Sequence, residues 1–460
     1  MTPSKPDVAF RRELGVLDAT VVVAGGIVGV GIFANPSNVA RVLDSPALIL
    51  FAWGLGGAVA LIGGFAWAEL ASRFPHVGGQ YVYLARAYHP IVGFLYGIAL
   101  LFIINAGGLA AVSILFASYV DRAFIPLGGP GGVRIVAAAA LVTLTAVNAV
   151  GIRAGKWTNN LLMTAKIGGM IALVALAFGR GAPPASDFSM PDIALNGTTL
   201  HLLFTALVPI LFAYGGWQSC ASIAGEIRNP ARNLPRANVY GVTLVVLLYL
   251  SLNLAYLWVL TPNQVAASPA LAADMARAAA GEAGARFVAL LIVLSSLGFL
   301  SVVILTGPRL YYAMANDSLF FARAAQLHPR YRTPVFALWF QAAVALVLLT
   351  TNTYDQLLSY VVFADWLFFG LTAAALFVVR RQDAASAAAA AVAGGAAAAP
   401  RAIARMPGHP FTTAIFVLVA AGIVFNSFIA YTAQSLVGTA ILCVAAMVYV
   451  RLQRVRGKTA

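Results

Sequence analysis

The chain alternates between long apolar runs and short polar connections, and the runs have membrane length. About 20 mainly apolar residues cross a hydrocarbon core. On that measure twelve spans fall near residues 17–40, 46–71, 91–119, 133–151, 157–179, 200–224, 237–260, 286–314, 334–351, 356–379, 411–431 and 435–452. The segment SRFPHVGGQYVYLARAYHP (72–90) is too polar to span. It is expected at the cytoplasmic face, with Tyr81, Tyr83 and Tyr88 as interfacial anchors. Residues 382–400, QDAASAAAAAVAGGAAAAP, are of low complexity and read as a mobile or loosely helical cytoplasmic loop. No break in composition marks a soluble domain, so residues 1–460 read as one membrane domain.

Two spans are interrupted in their middles. The first carries GGIVGVGIFANPS (25–37), with Gly25, Gly26, Gly29 and Gly31 ahead of Pro36; the sixth carries LFAYGGWQSC (211–220), with Gly215 and Gly216. Unpaired backbone groups are costly in lipid, so non-helical chain at membrane depth belongs where it lines a cavity. The two interruptions sit five spans apart, which places the second in inverted orientation relative to the first. Such a pair points to a transporter built from inverted repeats with its site at the midplane. Close helix packing on small residues is the other reading of the glycines. If the helices do unwind, the N–H groups that begin the second half-helix favour an anion. Unwound carbonyls favour a cation. An α-amino acid offers both charges a short distance apart. Gly31 and Gly215 are accordingly expected to tolerate no side chain.

Composition narrows the class. Of 460 residues, 61% are hydrophobic and 10% charged, against roughly 25% charged in soluble domains. The opening MTPSKPDVAFRRELG is too polar to be a cleavable signal peptide. The net charge of +14 is not a nucleic-acid footprint, because 22 of the 29 basic residues fall in alternate connections or at the termini. By the positive-inside rule both termini are cytoplasmic, in keeping with an even number of spans. Cys220 and Cys443 lie in apolar runs and read as packing residues, which leaves no cysteine for a disulfide-linked heavy chain. His76, His89, His201, His328 and His409 lie in or beside loops without metal-ligand spacing, so neither catalysis nor a cofactor is indicated. A channel would need a filter or charged ring repeated in an oligomer, and two related halves in one chain fit alternating access better.

Six blocks in order carry a resemblance: GVGIF (29–33), AWAELASRFPHVGGQYVYLARAYHP (66–90), FAYGGW (212–217), GEIRNPARNLPRA (225–237), RLYYAMANDSLFFARAAQLHPRYRTPV (309–335) and MPGHPF (406–411). In them the chain resembles the amino acid–polyamine–organocation superfamily, and within it bacterial relatives of the L-type amino acid transporters. The resemblance implies an all-α LeuT-type fold. Inverted five-helix repeats would occupy 17–179 and 200–379, with helices 1 and 6 unwound. A 1–16 cytoplasmic N-terminus, a 380–410 cytoplasmic loop, two additional helices over 411–452 and a 453–460 tail would complete the chain. It implies that backbone N–H groups of Val30 and Gly31, with Ile27 close by, take the substrate carboxylate. Carbonyls around Ile27, Phe212 and Gly215 would take its ammonium, Phe212 would close over it, and Trp217 would brace the break. Where the family usually has a small or small polar residue, Val30 keeps the N–H but loses a hydroxyl contact.

Two intramembrane charges stand apart. Lys166 is the one Lys or Arg deep within a predicted span, a position that is functional by default; snorkelling to the interface is the weaker reading. The resemblance implies that it replaces a sodium ion, bridging carbonyls near Gly26 to hydroxyls of Ser295 or Ser296. Asp365 stands where relatives more often have an amide or glutamate. It reads as a pocket-wall or proton-coupling group, or as a helix–helix polar contact. Asn105, with Gly107 and Gly108, lines a pocket or marks close packing. Glu69 and Glu226, at cytoplasmic helix ends, read as inner-gate or loop ion-pair partners. The expected function is sodium-independent transport of neutral L-amino acids across the cytoplasmic (inner) membrane, as an exchanger. The alternatives are proton symport, a cationic amino acid or polyamine carrier, and a nutrient sensor on the same fold.

Overall fold

A computed structural model describes residues 10–150, 152–179, 181, 183–189, 197–351, 354–392, 404–430 and 432–456. The expected terminal segments over 1–9 and 457–460, and the loop residues 393–403, lie outside them. The described elements are helical: α1 (Val16–Ile27), α2 (Gly31–Ala40), α3 (Pro46–Arg73), α4 (Gln80–Ala87), α5 (Pro90–Ala99), a π-helical turn (Leu100–Asn105), α6 (Ala106–Ala123), α7 (Pro130–Ala149), α8 (Ile152–Phe178), α9 (Gly197–Tyr214), α10 (Ser219–Ser222), α11 (Pro230–Val259), α12 (Pro262–Ala267), α13 (Leu271–Asn316), α14 (Val335–Thr351), α15 (Tyr354–Val392), α16 (Phe411–Ala430) and α17 (Thr432–Arg456). Pro46, Pro90, Pro130 and Pro230 each open a helix, where the missing N–H would have had no partner. Ser45 Oγ caps α3 by accepting from the Leu48 N–H at 3.4 Å.

Among the described residues, ten helical stretches are long and apolar enough to cross a membrane. The two other expected spans are the interrupted pair α1 and α2, and the shorter α14. α11 packs along α3 and α1, while α13 packs along α8 and α6, so the helices bearing the first interruption sit inside the bundle. Trp67, Trp217 and Phe369 are mutually packed there, with ring centroids 5.1–6.0 Å apart. Each such aromatic pair adds about 0.5–1.5 kcal/mol beyond its buried area.

The end of the bundle near Glu69 is tied by buried charge. Glu69 accepts from Arg73 at 2.8 Å, from Arg380 at 2.6 Å and from the Met406 N–H at 2.7 Å. Glu226 accepts from Arg309 at 2.9 Å, with both side chains almost wholly buried. Leaving either charge alone there would cost about 3–5 kcal/mol. Leu14 makes a parallel bridge with Ile227 over the same connection. Both glutamates are therefore ion-pair partners, as their positions at helix ends suggested.

Four local expectations change. Tyr81 and Tyr83 are buried core residues, and only Tyr88 is exposed. The amphipathic α4 turns them inward, where Gln80 Nε2 donates to the Phe368 carbonyl at 3.1 Å. α15 continues through Val392 into the alanine-rich segment, because alanine has the highest helix propensity and no glycine intervenes before Gly394. Cys220 is buried, but Cys443 is exposed on the outer side of α17 and is not a packing residue. α13 starts well before the expected residue 286 and bends at Ala280–Gly281, where Gly281 has a φ of 64°.

Candidate functional site

The two interrupted helices meet at their interruptions. α1 stops at Ile27, Val28 is extended (φ −71°, ψ 92°), and the helix restarts as α2 at Gly31. α9 stops at Tyr214 and restarts as α10 at Ser219, with Gly216 at a φ of 128°. A Cβ on Gly216 would stand 2.1 Å from the Gly26 carbonyl oxygen, and one on Gly26 would stand 2.7 Å from the Gly216 oxygen. Backbone therefore lies on backbone, which only glycine permits. At Gly215 the nearest neighbour of a Cβ is the Phe212 oxygen at 3.5 Å, an ordinary contact. The expected intolerance at position 215 thus belongs to Gly216. At Gly31 a Cβ would meet the Ala213 Cα at 3.0 Å, so the expectation there keeps a steric basis.

Carbonyls freed by the first interruption find side-chain donors from two other helices. The Tyr249 hydroxyl donates to the Ile27 oxygen at 3.3 Å. Lys166 Nζ, fully buried, donates to the Val28 oxygen. The Tyr256 hydroxyl donates to the Ile32 oxygen at 3.5 Å, the carbonyl that Pro36 cannot serve because it has no N–H. Lysine thus reaches a carbonyl two residues past Gly26, inside the interruption. The serines do not join it. Ser296 Oγ donates instead to the Ile292 carbonyl of its own helix at 2.8 Å, the usual back-bond of a mid-helix serine, and Ser295 Oγ has no partner among the described residues. What does meet the lysine is Gly298, whose Cβ would lie 3.4 Å from Cε and Nζ. Sequence reasoning missed Tyr249, Tyr256 and Gly298, and it named Gly216 at the interruption without singling it out from Gly215.

A cavity of about 120 Å³ opens at this crossing. It is lined by Gly26, Ile27, Val30, Gly31, Phe212 and Gly215 from the interrupted helices, and by Asn105 and Asp365 from other helices. Gln218, Ser219 and Phe299 also line it. Trp217 stands behind the wall, fully buried against Trp67 and Phe369. The space is a little smaller than a cavity of about 150 Å³ that holds benzene, the scale of a small amino acid. A second cavity of about 550 Å³, bearing Asn35, Asn38 and His201, shares Phe212 and Val362 with the first. These two side chains therefore form the partition between them. Asn35 Nδ2 donates to the Pro209 carbonyl at 2.8 Å, fastening α2 to α9 beside that partition.

The first N–H groups of α2 have no intrahelical acceptor and carry the positive end of its dipole. Carbonyls at the ends of α1 and α9 supply partial negative charge a few residues away. Asn105 ends the π-helical turn, and Nδ2 sits 3.5 Å from the Tyr311 hydroxyl and 3.4 Å from Gln341 Oε1. A π turn re-aims side chains at such positions. Among the described residues, no group of three or more His, Cys, Asp or Glu side chains could hold a metal ion.

Known proteins resemble the chain over most of its length. A family model described as amino acid permease matches residues 14–451. The b(0,+)-type amino acid transporter 1 of Mus musculus is 31% identical over 374 residues, covering 80% of this chain and 76% of that one. The serine/threonine exchanger SteT of Bacillus subtilis is 29% identical, covering 81% and 84%. The large neutral amino acids transporter small subunit 2 of Mus musculus is also 29% identical, covering 81% and 71%.

Proposed function

The chain belongs to the amino acid permease family, and from that premise we propose that it exchanges neutral L-amino acids across the cytoplasmic membrane without sodium. It is an integral membrane transporter and not an enzyme. In the proposed cycle the substrate carboxylate binds the free N–H groups of Val30 and Gly31, close to Ile27. Its ammonium binds carbonyls at Ile27, Phe212 and Gly215. The Ile27 oxygen already accepts from Tyr249 and would use its second lone pair. Phe212, shared by both cavities, closes over the substrate and Trp217 braces the closed form.

The observation that carries this reading is the crossing of two interrupted helices beside an amino-acid-sized cavity. Lys166 supports the sodium-free part, since its ammonium occupies a carbonyl inside the interruption. The proposed arrangement keeps both termini cytoplasmic and uses two inverted repeats, 17–179 and 200–379, as the moving parts. No heavy chain is required for activity in this reading. Proteoliposomes test it: replacing Na⁺ with choline leaves the exchange of labelled alanine or leucine unchanged, and a strict sodium requirement would sink the proposal.

A further inference from the structure

The interrupted helices supply the groups that fit an amino acid backbone, which leaves the cavity wall from other helices to recognise the side chain. That wall is apolar except for Asn105 and Asp365: Ile104, Val112, Phe299 and Val303 make up much of the rest. Asp365 is half-buried although its helix neighbours Ala364 and Trp366 are buried. Among the described residues, no basic residue lines the cavity with it; the buried Tyr96 hydroxyl is its electrostatic neighbour but makes no hydrogen bond to its carboxylate. Lys166, the cation nearest in role, is committed to the Val28 carbonyl.

An acceptor without a partner in an apolar wall is costly, and bound substrate can remove that cost. We infer that Asp365 selects, among neutral amino acids, those whose short side chain ends in a hydrogen-bond donor, as a hydroxyl does. The inference rests on the proposed function and names its substrate class. Size favours a short donor over a long basic one. The cavity, about 120 Å³, is on the scale of a benzene-sized ligand and leaves little room for a long side chain. Asn105, already turned toward Tyr311 and Gln341, flanks the same wall.

Threonine and valine differ by a hydroxyl for a methyl at nearly equal volume, so their ratio isolates the donor. Each is added as competitor to labelled alanine exchange in proteoliposomes. A hydroxyl bonded to a charged acceptor predicts that threonine inhibits about tenfold to a hundredfold more strongly than valine. Asp365→Leu, which keeps the branched shape and removes the acceptor, should bring the ratio to near one, and Asp365→Asn, which keeps an acceptor oxygen, should retain a threonine preference. The readout is a ratio within each protein and does not depend on its total activity. Equal inhibition by threonine and valine in the unmodified protein overturns the inference, as does an unchanged ratio in Asp365→Leu. Stronger inhibition by 2,4-diaminobutyrate than by threonine overturns the neutral class. If no L-amino acid exchanges at all, the proposed function itself fails; alanine exchange with equal threonine and valine inhibition removes this inference alone.

Discussion

Gly216→Ala abolishes amino acid exchange, by about a hundredfold or more, whereas Gly215→Ala, one residue earlier, stays within a few-fold of the unmodified protein. The contrast follows from the crossing. At Gly216 a methyl group would fall 2.1 Å from the Gly26 oxygen on a backbone whose φ is 128°, so strain and overlap add. At Gly215 the nearest atom is 3.5 Å away. A hundredfold needs only about 2.7 kcal/mol, less than a backbone overlap of that size would demand. Gly26→Ala meets the same contact from the other side, at 2.7 Å, and should share the defect. Exchange is measured per transporter recovered from the membrane as a monodisperse species. Equal activity in Gly216→Ala and Gly215→Ala would mean that the two interruptions do not bear on each other.

The second large effect belongs to Lys166. Its ammonium is the donor that the Val28 carbonyl has in place of an intrahelical N–H, and a hydrogen bond to a charged group is worth about 1.5–3 kcal/mol. Lys166→Ala and Lys166→Met are both expected to slow exchange by about tenfold to a hundredfold, because each leaves that carbonyl without its charged partner. The methionine variant keeps most of the volume, so its agreement with the alanine variant separates charge from packing. Full activity in Lys166→Met would reduce the lysine to a filler beside Gly298.

Much of the site could be read before the structure, and the reasons it could not all be read are physical. The interruptions at 28–30 and 215–218 were legible because paired glycines within apolar runs, followed in the first by a proline, free backbone groups that lipid cannot satisfy and a cavity can. Lys166 was legible because a lone ammonium in a span must find acceptors. Its actual acceptor was not, since which carbonyl faces α8 depends on where α1 stops. Gly215 and Gly216 look equivalent in the sequence, and only the crossing with Gly26 gives them different φ values and neighbours. Tyr249 and Tyr256 left a faint signal: they stand seven residues apart on one face of α11, and buried hydroxyls in such a span need partners. Tyr81 and Tyr83 misled for the converse reason, because tyrosine in a short polar segment suits a membrane interface and a packed core equally well.

The central claim is that an amino acid binds at the crossing of the two interrupted helices, and substrate protection at Val30 tests it most directly. Val30 lines the cavity and begins the N–H-bearing turn of α2. A Val30→Cys thiol, in a background with Cys220→Ala and Cys443→Ala, is alkylated with a small thiol reagent in proteoliposomes with and without a saturating exchanged amino acid. The account predicts that the amino acid slows labelling by about tenfold, the occupancy expected of a bound ligand at ten times its Kd. Labelling at the same rate with the site saturated would place the substrate elsewhere and contradict it.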